Sequence, residues 1–233
     1  MRHLICLLGL ALLTAAPATA ATVVNGSFED PIAGNQAGLN NGQLYGTMPG
    51  TGSGWDRWTS LNGWTTDAGP GIEVQTERTL GLTPNGGQYY VELDSNSNSA
   101  MTQSVWLERG IYLLRFFYSP RAKDGQSDEQ MAGSNGIAYS IADLAGMVTG
   151  PDGQIGTSVG TWTEITAEFI AETAATYTLR FAAIGKSNSY GGLMDDVSID
   201  YVAPVPVPAA GLLLLGGLGG LAALKRRRKA GAA

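Results

Sequence analysis

Two tryptophans flank two charged residues in the segment Trp55-Asp56-Arg57-Trp58, which lies in a glycine-rich stretch from 42 to 69. Aromatic faces stack on sugar rings, while carboxylates, amides and guanidinium groups bond the hydroxyls. We therefore interpret the segment as a binding loop in which Trp55 and Trp58 stack on pyranose faces. The charged pair, Asp56 and Arg57, bonds hydroxyl groups in this interpretation. Core packing is the alternative for Trp58.

Arg121 is a further binding candidate, because it follows Tyr118-Ser119-Pro120 at the end of an aromatic run. Its guanidinium either lines the same cleft or pairs with an acid. The tryptophans at 64 and 162 are interpreted as core residues.

The 20 Asp and Glu residues are the groups that could act as acids or bases. Glycoside hydrolysis needs two carboxylates about 5–9.5 Å apart across a cleft, and Glu73 and Glu92 could meet that spacing on neighbouring strands, as could many other pairs. Asp195 and Asp196 are adjacent, so on a strand they point to opposite faces and cannot form a facing pair. The sequence has no nucleophile elbow, phosphate loop or metal-hydrolase motif. We nominate no catalytic residue.

The N-terminal segment 1–21 has the pattern of a secretory signal peptide. A basic start is followed by a 13-residue apolar run and by a small-residue cleavage site near Ala20. A membrane anchor is the alternative, but the apolar run is short and ends in small residues. Cleavage removes Cys6 and His3, the only Cys and His of the chain. Thiol and imidazole chemistry, disulfides and Cys or His metal ligands are then excluded.

The body at 22–203 is strongly acidic. It holds all 20 acids but only 8 of the 14 basic residues, because five basic residues lie at 225–229 and one lies near the start. The body therefore has a net charge of −12. Nucleic acid is excluded as a partner, since nucleic-acid binders present a basic surface. Anionic polysaccharide and anionic lipid are also poor partners by charge.

The C-terminal region has three parts. A proline-rich linker at 204–208 precedes an uncharged apolar transmembrane segment at 209–224 and a basic tail at 225–233. The segment is shorter than the ~20 residues that cross a bilayer, although the linker's valines extend it, and the tail should stay cytoplasmic. A core helix is the alternative, but a core helix does not end in five consecutive cations.

This region resembles the PEP-CTERM sorting signal in its VPLPA-like form. The motif is Val205-Pro206-Val207-Pro208-Ala209, with Val207 where that form usually has Leu. The resemblance implies a Gram-negative bacterium, a transient inner-membrane anchor through the C-terminal helix, and recognition by an exosortase, a membrane protease-transpeptidase. Cleavage near the motif would release the body to the cell surface or the extracellular matrix.

Short strands with a period of two dominate the body. Residues 176–183 alternate between polar and apolar, and residues 111–118 form a nearly continuous apolar run typical of a central strand. Further strands are predicted at 22–28, 71–75, 88–93, 100–107, 136–141, 164–169 and 193–201. No run of 11 residues shows a period of 3.6. We therefore predict an all-β fold, an antiparallel β-sandwich of the jelly-roll type.

An ordered series of short motifs carries a second resemblance. It contains Asn25-Gly26-Ser27-Phe28-Glu29, Gly71-Ile72-Glu73-Val74, the run at 87–94, Phe117-Tyr118-Ser119-Pro120-Arg121 and the run at 191–199. The series resembles the galactose-binding-like jelly rolls, closest to the DUF642 group and related to family 4/9 carbohydrate-binding modules. The resemblance implies a domain at 22–203 that binds polysaccharide of the cell envelope or matrix.

The same resemblance implies a structural calcium ion. In such modules the opening N-G-x-F-E and closing D-D-V segments meet and supply the oxygens, which nominates Glu29 and Asp196, with Asn25 and Asp195 assisting. Calcium takes about six to eight oxygens from carboxylates and carbonyls. The alternative is that these carboxylates cap strand ends or form hydrogen bonds with turns.

These predictions describe an exported, exosortase-sorted protein whose β-sandwich binds polysaccharide. Two alternatives stay open. One is a structural matrix protein without a ligand, which buried side chains at Trp55 and Trp58 and the lack of an open cleft would favour. The other is a glycan-active enzyme, which requires a cleft with two carboxylates.

Overall fold

The computed structural model describes residues 23–31, 54–121, 133, 136–150 and 161–205. These residues form twelve strands and one short helix. In chain order they are β1 (Trp55–Trp58), β2 (Ser60–Leu61), β3 (Trp64–Ala68), β4 (Ile72–Gln75), α1 (Glu77–Leu80), β5 (Tyr90–Glu92), β6 (Ala100–Leu107), β7 (Gly110–Ser119), β8 (Gly136–Ile141), β9 (Leu144–Val148), β10 (Thr163–Ala171), β11 (Ala175–Ile184) and β12 (Leu193–Ala203).

The strands form two antiparallel sheets of six strands each. Sheet A has the order β1-β4-β5-β12-β7-β10, and sheet B has the order β2-β3-β6-β11-β8-β9. Alternate side chains of each strand point to opposite faces, so one face of each sheet can pack against the other sheet. The long strands β6, β7 and β11 follow this alternation along most of their length.

The core lies between the two sheets. Phe116 of sheet A and Phe181 of sheet B meet edge to face with ring centroids 5.2 Å apart. Trp64 is fully buried and packs against Phe28 and Phe181 at 5.9 and 6.0 Å. Each such buried side chain contributes about 1.5–3 kcal/mol through the hydrophobic effect. The predicted antiparallel β-sandwich is confirmed.

Most predicted strands agree with the structure, and one does not. The predictions at 100–107 and 136–141 coincide with β6 and β8. The predicted strand at 22–28 is wrong, because residues 24–27 form a turn. Asn25 and Phe28 have φ angles of 50° and 58°, in the left-handed region that a strand cannot contain.

The predicted targeting segments lie mainly outside the described residues. No helix of the described part of the chain is long and apolar enough to cross a membrane. The signal peptide at 1–21, the apolar span at 209–224 and the basic tail are not among these residues. Of the sorting motif only Val205 is described, and its carbonyl accepts a hydrogen bond from Arg109 Nη1 at 3.0 Å.

Candidate functional site

The face of sheet A that points away from the core carries a polar cluster. Residues directly opposite each other on neighbouring strands share a face. The register places Trp55 opposite Gln75, Arg57 opposite Glu73, and Glu73 opposite Glu92. The strands β1, β4 and β5 therefore bring three separate parts of the sequence onto one outer face.

Loops and one helix cover this outer face and leave an open cavity. Helix α1, the loop after β5 and the segment before β12 supply the cover. The cavity has a volume of about 310 Å³ and is lined by Trp55, Glu73, Thr79, Ser95, Asn96, Arg121 and Ser189. That volume is at the lower end of the range of about 300–1,000 Å³ that small-molecule sites occupy. We call it the Trp55 cavity.

Glu92 and Arg121 form a buried ion pair behind the wall of the Trp55 cavity. Arg121 Nη1 donates to both carboxylate oxygens of Glu92 at 2.7 and 2.6 Å, and to the Ser189 carbonyl at 2.6 Å. The Gly191 N–H adds a hydrogen bond to Glu92 Oε1 at 2.8 Å. The Arg121 guanidinium lies 5.2 Å from the centre of the Tyr190 ring. Burial raises the pKa of Glu92 to about 8, and the charge of Arg121 opposes this rise.

Glu73 lines the cavity and lies next to Glu92. Gln75 Nε2 donates to Glu73 Oε1 at 2.7 Å and to Glu92 Oε2 at 2.6 Å, so one amide separates the two carboxyl groups. Glu73 is only 5% exposed, and it takes part in none of the ion pairs among the described residues. Burial raises the pKa of Glu73, and hydrogen bonds from Ser95 and Gln75 oppose this rise. The cavity wall therefore contains a carboxyl group with little access to water.

The predicted binding segment at 55–58 is strand β1, not a loop, and its alternation divides the four residues. Trp55 and Arg57 lie on the outer face. With the Asn96 amide oriented so that its oxygen faces Arg57, Nη1 donates to that oxygen at 2.7 Å. Asp56 and Trp58 point to the other side and are 1% and 2% exposed. Trp58 packs in the core and therefore does not stack on a ligand beside Trp55.

The other predicted residues divide between the cavity and the interior. Arg121 meets both of its proposed roles, since it lines the cavity and pairs with Glu92. Trp64 is a core residue, 1% exposed. Trp162 is partly buried, packs against the Tyr90 ring at 5.7 Å and donates to the Thr83 carbonyl at 2.9 Å.

Four cavity residues are absent from the sequence-based prediction, namely Thr79, Ser95, Asn96 and Ser189. The pattern Ile72-Glu73-Val74-Gln75 does indicate a strand with one polar face. No local pattern indicates that distant loops cover that polar face. The polar residues of β4 therefore carried a signal for the site, whereas the loop residues did not.

A second acidic region joins the N-terminal turn to the start of β12. The Val197 N–H donates to the Gly26 carbonyl at 2.9 Å, so the opening and closing motifs meet in space. A bulge follows Asp195, and Asp196 has a φ of 48°. Both carboxylates therefore turn toward the loop at Asn85. The predicted opposite orientation of the two aspartates is wrong, because it assumed a regular strand.

Asp195 is buried among backbone donors. Its Oδ2 accepts the N–H groups of Asn85 and Gly86 at 3.0 and 3.2 Å, and its Oδ1 accepts the Asp196 N–H at 2.8 Å. Asp196 Oδ2 accepts Asn85 Nδ2 at 2.6 Å. Burial, together with the neighbouring charge of Asp196, raises the pKa of Asp195 to about 8.

Glu29 binds the same loop from the N-terminal side. Its Oε1 accepts the N–H groups of Gln88 and Tyr89 at 2.8 and 2.9 Å. The Asn25 side chain bonds the Asp30 backbone instead, with Nδ2 at 2.8 Å from the carbonyl. We call residues 25–29, 85–89 and 195–197 the terminal clasp.

In the terminal clasp, oxygens of Glu29 and Asp195 accept hydrogen bonds from backbone N–H groups of the loop at 85–89. The described part of the chain contains no group of three His, Cys, Asp or Glu side chains that could hold a metal. A calcium ion would need several of these oxygens to converge on it, and calcium binding here stays a prediction.

No family model and no curated protein matches the sequence. A solved structure of a Stig cyclase, Fisc from Fischerella sp. TAU in complex with an indole compound, is similar in fold. Its TM-score is 0.51 at 13% identity, with 81% of this chain and 100% of that chain covered. At this identity the similarity shows the sandwich fold and nothing about a ligand.

Two carbohydrate-binding modules are also similar, more distantly. TmCBM61 in complex with β-1,4-galactotriose has a TM-score of 0.41 at 14% identity, covering 74% of this chain and 99% of that chain. CBM35 from Paenibacillus barcinonensis has a TM-score of 0.36 at 19% identity, covering 60% and 94%. The fold of this chain is thus an antiparallel all-β sandwich.

Proposed function

We propose that the protein binds polysaccharide, with a short glycan segment seated in the Trp55 cavity. The observation that carries this proposal is the composition of the cavity wall. One half-buried tryptophan faces the cavity. The other lining residues are two with charged side chains, one with an amide and three with hydroxyl groups. An aromatic surface beside fixed hydrogen-bonding groups is the combination that a sugar ring requires, since the ring has an apolar face and polar edges.

The cavity favours a binding protein over a purely structural one. A structural matrix protein would need no open, polar concavity next to a partly exposed tryptophan. Arg121 is also held in place by Glu92 and the Ser189 carbonyl, so its position is set before a ligand arrives. Such fixed polar groups reduce the entropy that a ligand must lose on binding.

A glycan array and isothermal titration test the proposal on the purified chain. We expect Trp55→Ala to lower the affinity for the glycan at least about tenfold, because it removes the aromatic surface of the cavity. Trp106→Ala is the matched control, since Trp106 is 57% exposed on β6 of the other sheet. Binding to no glycan, or equal losses in the two variants, would contradict the proposal.

The positions of Glu73 and Glu92 favour a glycan-binding site over a site that hydrolyses glycans. Glu73 lines the cavity, but Glu92 is fully buried and its two oxygens accept hydrogen bonds from Arg121, Gln75 and Gly191. A general base or nucleophile must reach its substrate. Glu92 in this position supports Arg121 and Glu73 and does not face a ligand.

We further propose that the protein is exported and sorted to the cell surface or matrix of a Gram-negative bacterium. The segment order at the two ends supports this proposal, including the motif at 205–209 before an apolar span and a basic tail. Replacing residues 204–229 should leave the protein in the periplasm. Cell fractionation and surface labelling measure where the altered protein is found. Unchanged delivery to the surface would contradict sorting by an exosortase.

Calcium binding by Glu29, Asp195 and Asp196 stays a prediction. For calcium to bind, these carboxylates would exchange some of their N–H contacts for the metal. A higher melting temperature in calcium than in EDTA, lost in Asp196→Ala, is the expected result. The same melting temperature of the wild type in calcium and in EDTA would contradict a calcium site.

A further inference from the structure

Glu73 is the feature of the Trp55 cavity that a neutral ligand leaves unexplained. Its side chain is 95% buried by the surrounding residues and lines the cavity. No guanidinium or ammonium group of the described residues forms an ion pair with it. A buried carboxyl group without a cation in direct contact is costly to ionise, and burial accordingly raises the pKa of Glu73. A cation placed against Glu73 would favour its ionised form.

The two nearby arginines are already engaged elsewhere. Arg121 places one nitrogen on both oxygens of Glu92 and on the Ser189 carbonyl. Arg57 lies opposite Glu73 in the register, but its Nη1 is directed at the Asn96 amide. The charges of Arg121 and Arg57 oppose the rise of the Glu73 pKa, but neither guanidinium forms an ion pair with Glu73. The cavity side of this carboxyl group is where a further cation can approach.

The Glu73 carboxyl group fits a compact cation that only donates hydrogen bonds. An ammonium group has three donors and no acceptor, so it can donate to the Glu73 oxygens from the cavity side. Gln75 donates to both glutamates, and its Oε1 is a further buried acceptor with no hydrogen-bond partner among the described residues. The Trp55 ring adds a surface that attracts cations as well as sugar rings. The body's net charge of −12 also attracts cationic ligands over longer distances.

We propose that the Trp55 cavity selects a sugar with a free amino group, whose ammonium pairs with Glu73 while its ring rests on Trp55. This inference rests on the proposed function and names the class of glycan. The ligand is an amino-sugar polysaccharide that is at least partly free of N-acetyl groups. Acetylation converts the ammonium to a neutral amide, which removes the charge that Glu73 recognises.

Isothermal titration of the full chain with two matched ligands tests the inference. The ligands are a glucosamine oligosaccharide and the N-acetylglucosamine oligosaccharide of the same length, at a pH where the free amine is charged. We expect the amino form to bind about ten- to hundredfold more tightly, in the range of a charge-assisted hydrogen bond. Its affinity should also fall as NaCl is raised, while that of the neutral form should not.

Two substitutions of the same kind separate site recognition from general attraction to an acidic protein. Glu73→Gln should bring the ratio of the affinities for the amino form and the N-acetylated form close to one. Glu168→Gln removes the same charge from an exposed position on β10 and should leave the preference unchanged. Equal effects of both substitutions would mean non-specific attraction and would overturn the inference.

The wild-type comparison needs no variant, so the inference stays testable if Glu73→Gln fails to fold. Equal or tighter binding of the N-acetylated form overturns it while leaving polysaccharide binding in place. Binding of other glycans but of neither glucosamine form has the same consequence. Binding of no glycan at all rejects the proposed function itself, and the inference with it.

Discussion

Glu92, Glu73, Gln75 and Arg121 form a connected polar network on the outer face of sheet A. Two carboxyl groups that lie directly opposite each other on antiparallel strands would repel if both were ionised and unsupported. Here Gln75 donates to both, and Arg121 donates to the more deeply buried one. The network therefore holds the cavity wall in a single arrangement, provided that each member keeps its partner.

The first prediction concerns Arg121→Met. This substitution removes the guanidinium and leaves Glu92 as a buried carboxylate without a cation. We therefore expect the free energy of unfolding to fall by about 3–5 kcal/mol. Arg115→Met is the matched control. Arg115 bonds Glu164 and Asp200 at 3.2 and 3.0 Å, but all three side chains are 41–55% exposed.

Exposed ion pairs contribute only about 0–1 kcal/mol, so the Arg115 variant should melt close to the wild type. Urea denaturation monitored by tryptophan fluorescence measures both losses. Similar losses in the two variants would show that the Glu92–Arg121 pair does not stabilise the fold more than an exposed pair does.

The second prediction separates the two tryptophans of β1. Trp58 is 2% exposed in the core, so Trp58→Ala should lower the free energy of unfolding by about 3–5 kcal/mol. Trp55 is only half-buried, so Trp55→Ala should cost clearly less stability while it weakens ligand binding. Thermal melts and titrations on the same samples test this division. A stability loss at Trp55 as large as that at Trp58 would place Trp55 in a structural role.

At the level of elements, alternation in the sequence predicts strands well where one face packs in the core. In β6, every second residue from Met101 to Leu107 is buried, and all but Gln103 of these are apolar; the predicted bounds agree with the structure. Strand β1 was predicted as a loop because of its glycine-rich surroundings. It is a strand because its four residues pair with β4, a contact between separate segments that local composition does not contain.

The candidate site was predictable only in part, because local sequence does not show which separate segments come together. Trp55 and Arg121 were named from residue type, and both line the cavity. Ser95, Asn96 and Ser189 come from loops whose positions depend on how β5 and β12 pair. The bulge at Asp196 likewise requires a left-handed backbone at a non-glycine residue, which sequence alternation cannot indicate.

The terminal clasp provides the third prediction, at Gly26. A Cβ at this position would collide with the Val197 carbonyl oxygen, so the backbone must shift in Gly26→Ala. We expect a loss of about 1–3 kcal/mol, as for other overpacked sites. Hydrogen exchange at the Val197 N–H, which bonds the Gly26 carbonyl at 2.9 Å, should become faster.

Ser27→Ala is the control for Gly26→Ala, because it changes a neighbouring residue of the same turn. We expect it to leave both the melting temperature and exchange at Val197 close to those of the wild type. If Gly26→Ala has no larger effect than this control, the clasp does not fasten the N-terminal turn to β12.

At the level of the whole molecule, the buried carboxyl group of Asp195 makes stability depend on pH. Burial and the neighbouring charge of Asp196 raise the pKa of Asp195 to about 8. This group binds its proton more tightly in the folded state than in the unfolded state. Its stabilising effect is therefore fully present below the ordinary carboxyl pKa near 4 and is lost as the pH rises through about 8.

The fourth prediction is that the melting temperature falls steadily between about pH 5 and pH 8, the window set by the raised pKa of Asp195. One such group changes the free energy of unfolding by at most about 1.4 kcal/mol per pH unit within its window. Asp195→Asn should reduce the slope, because an amide does not titrate, whereas Asp200→Asn, at an exposed position, should not. Melts at fixed ionic strength measure the slopes.

Comparison of the slopes is more informative than comparison of the melting temperatures themselves, since either substitution can also change stability at all pH values. A slope that stays the same in Asp195→Asn would mean that Asp195 is ionised in both states across this range. A melting temperature that rises with pH would mean that ionised carboxylates, each paired with a cation or a backbone donor, dominate the fold.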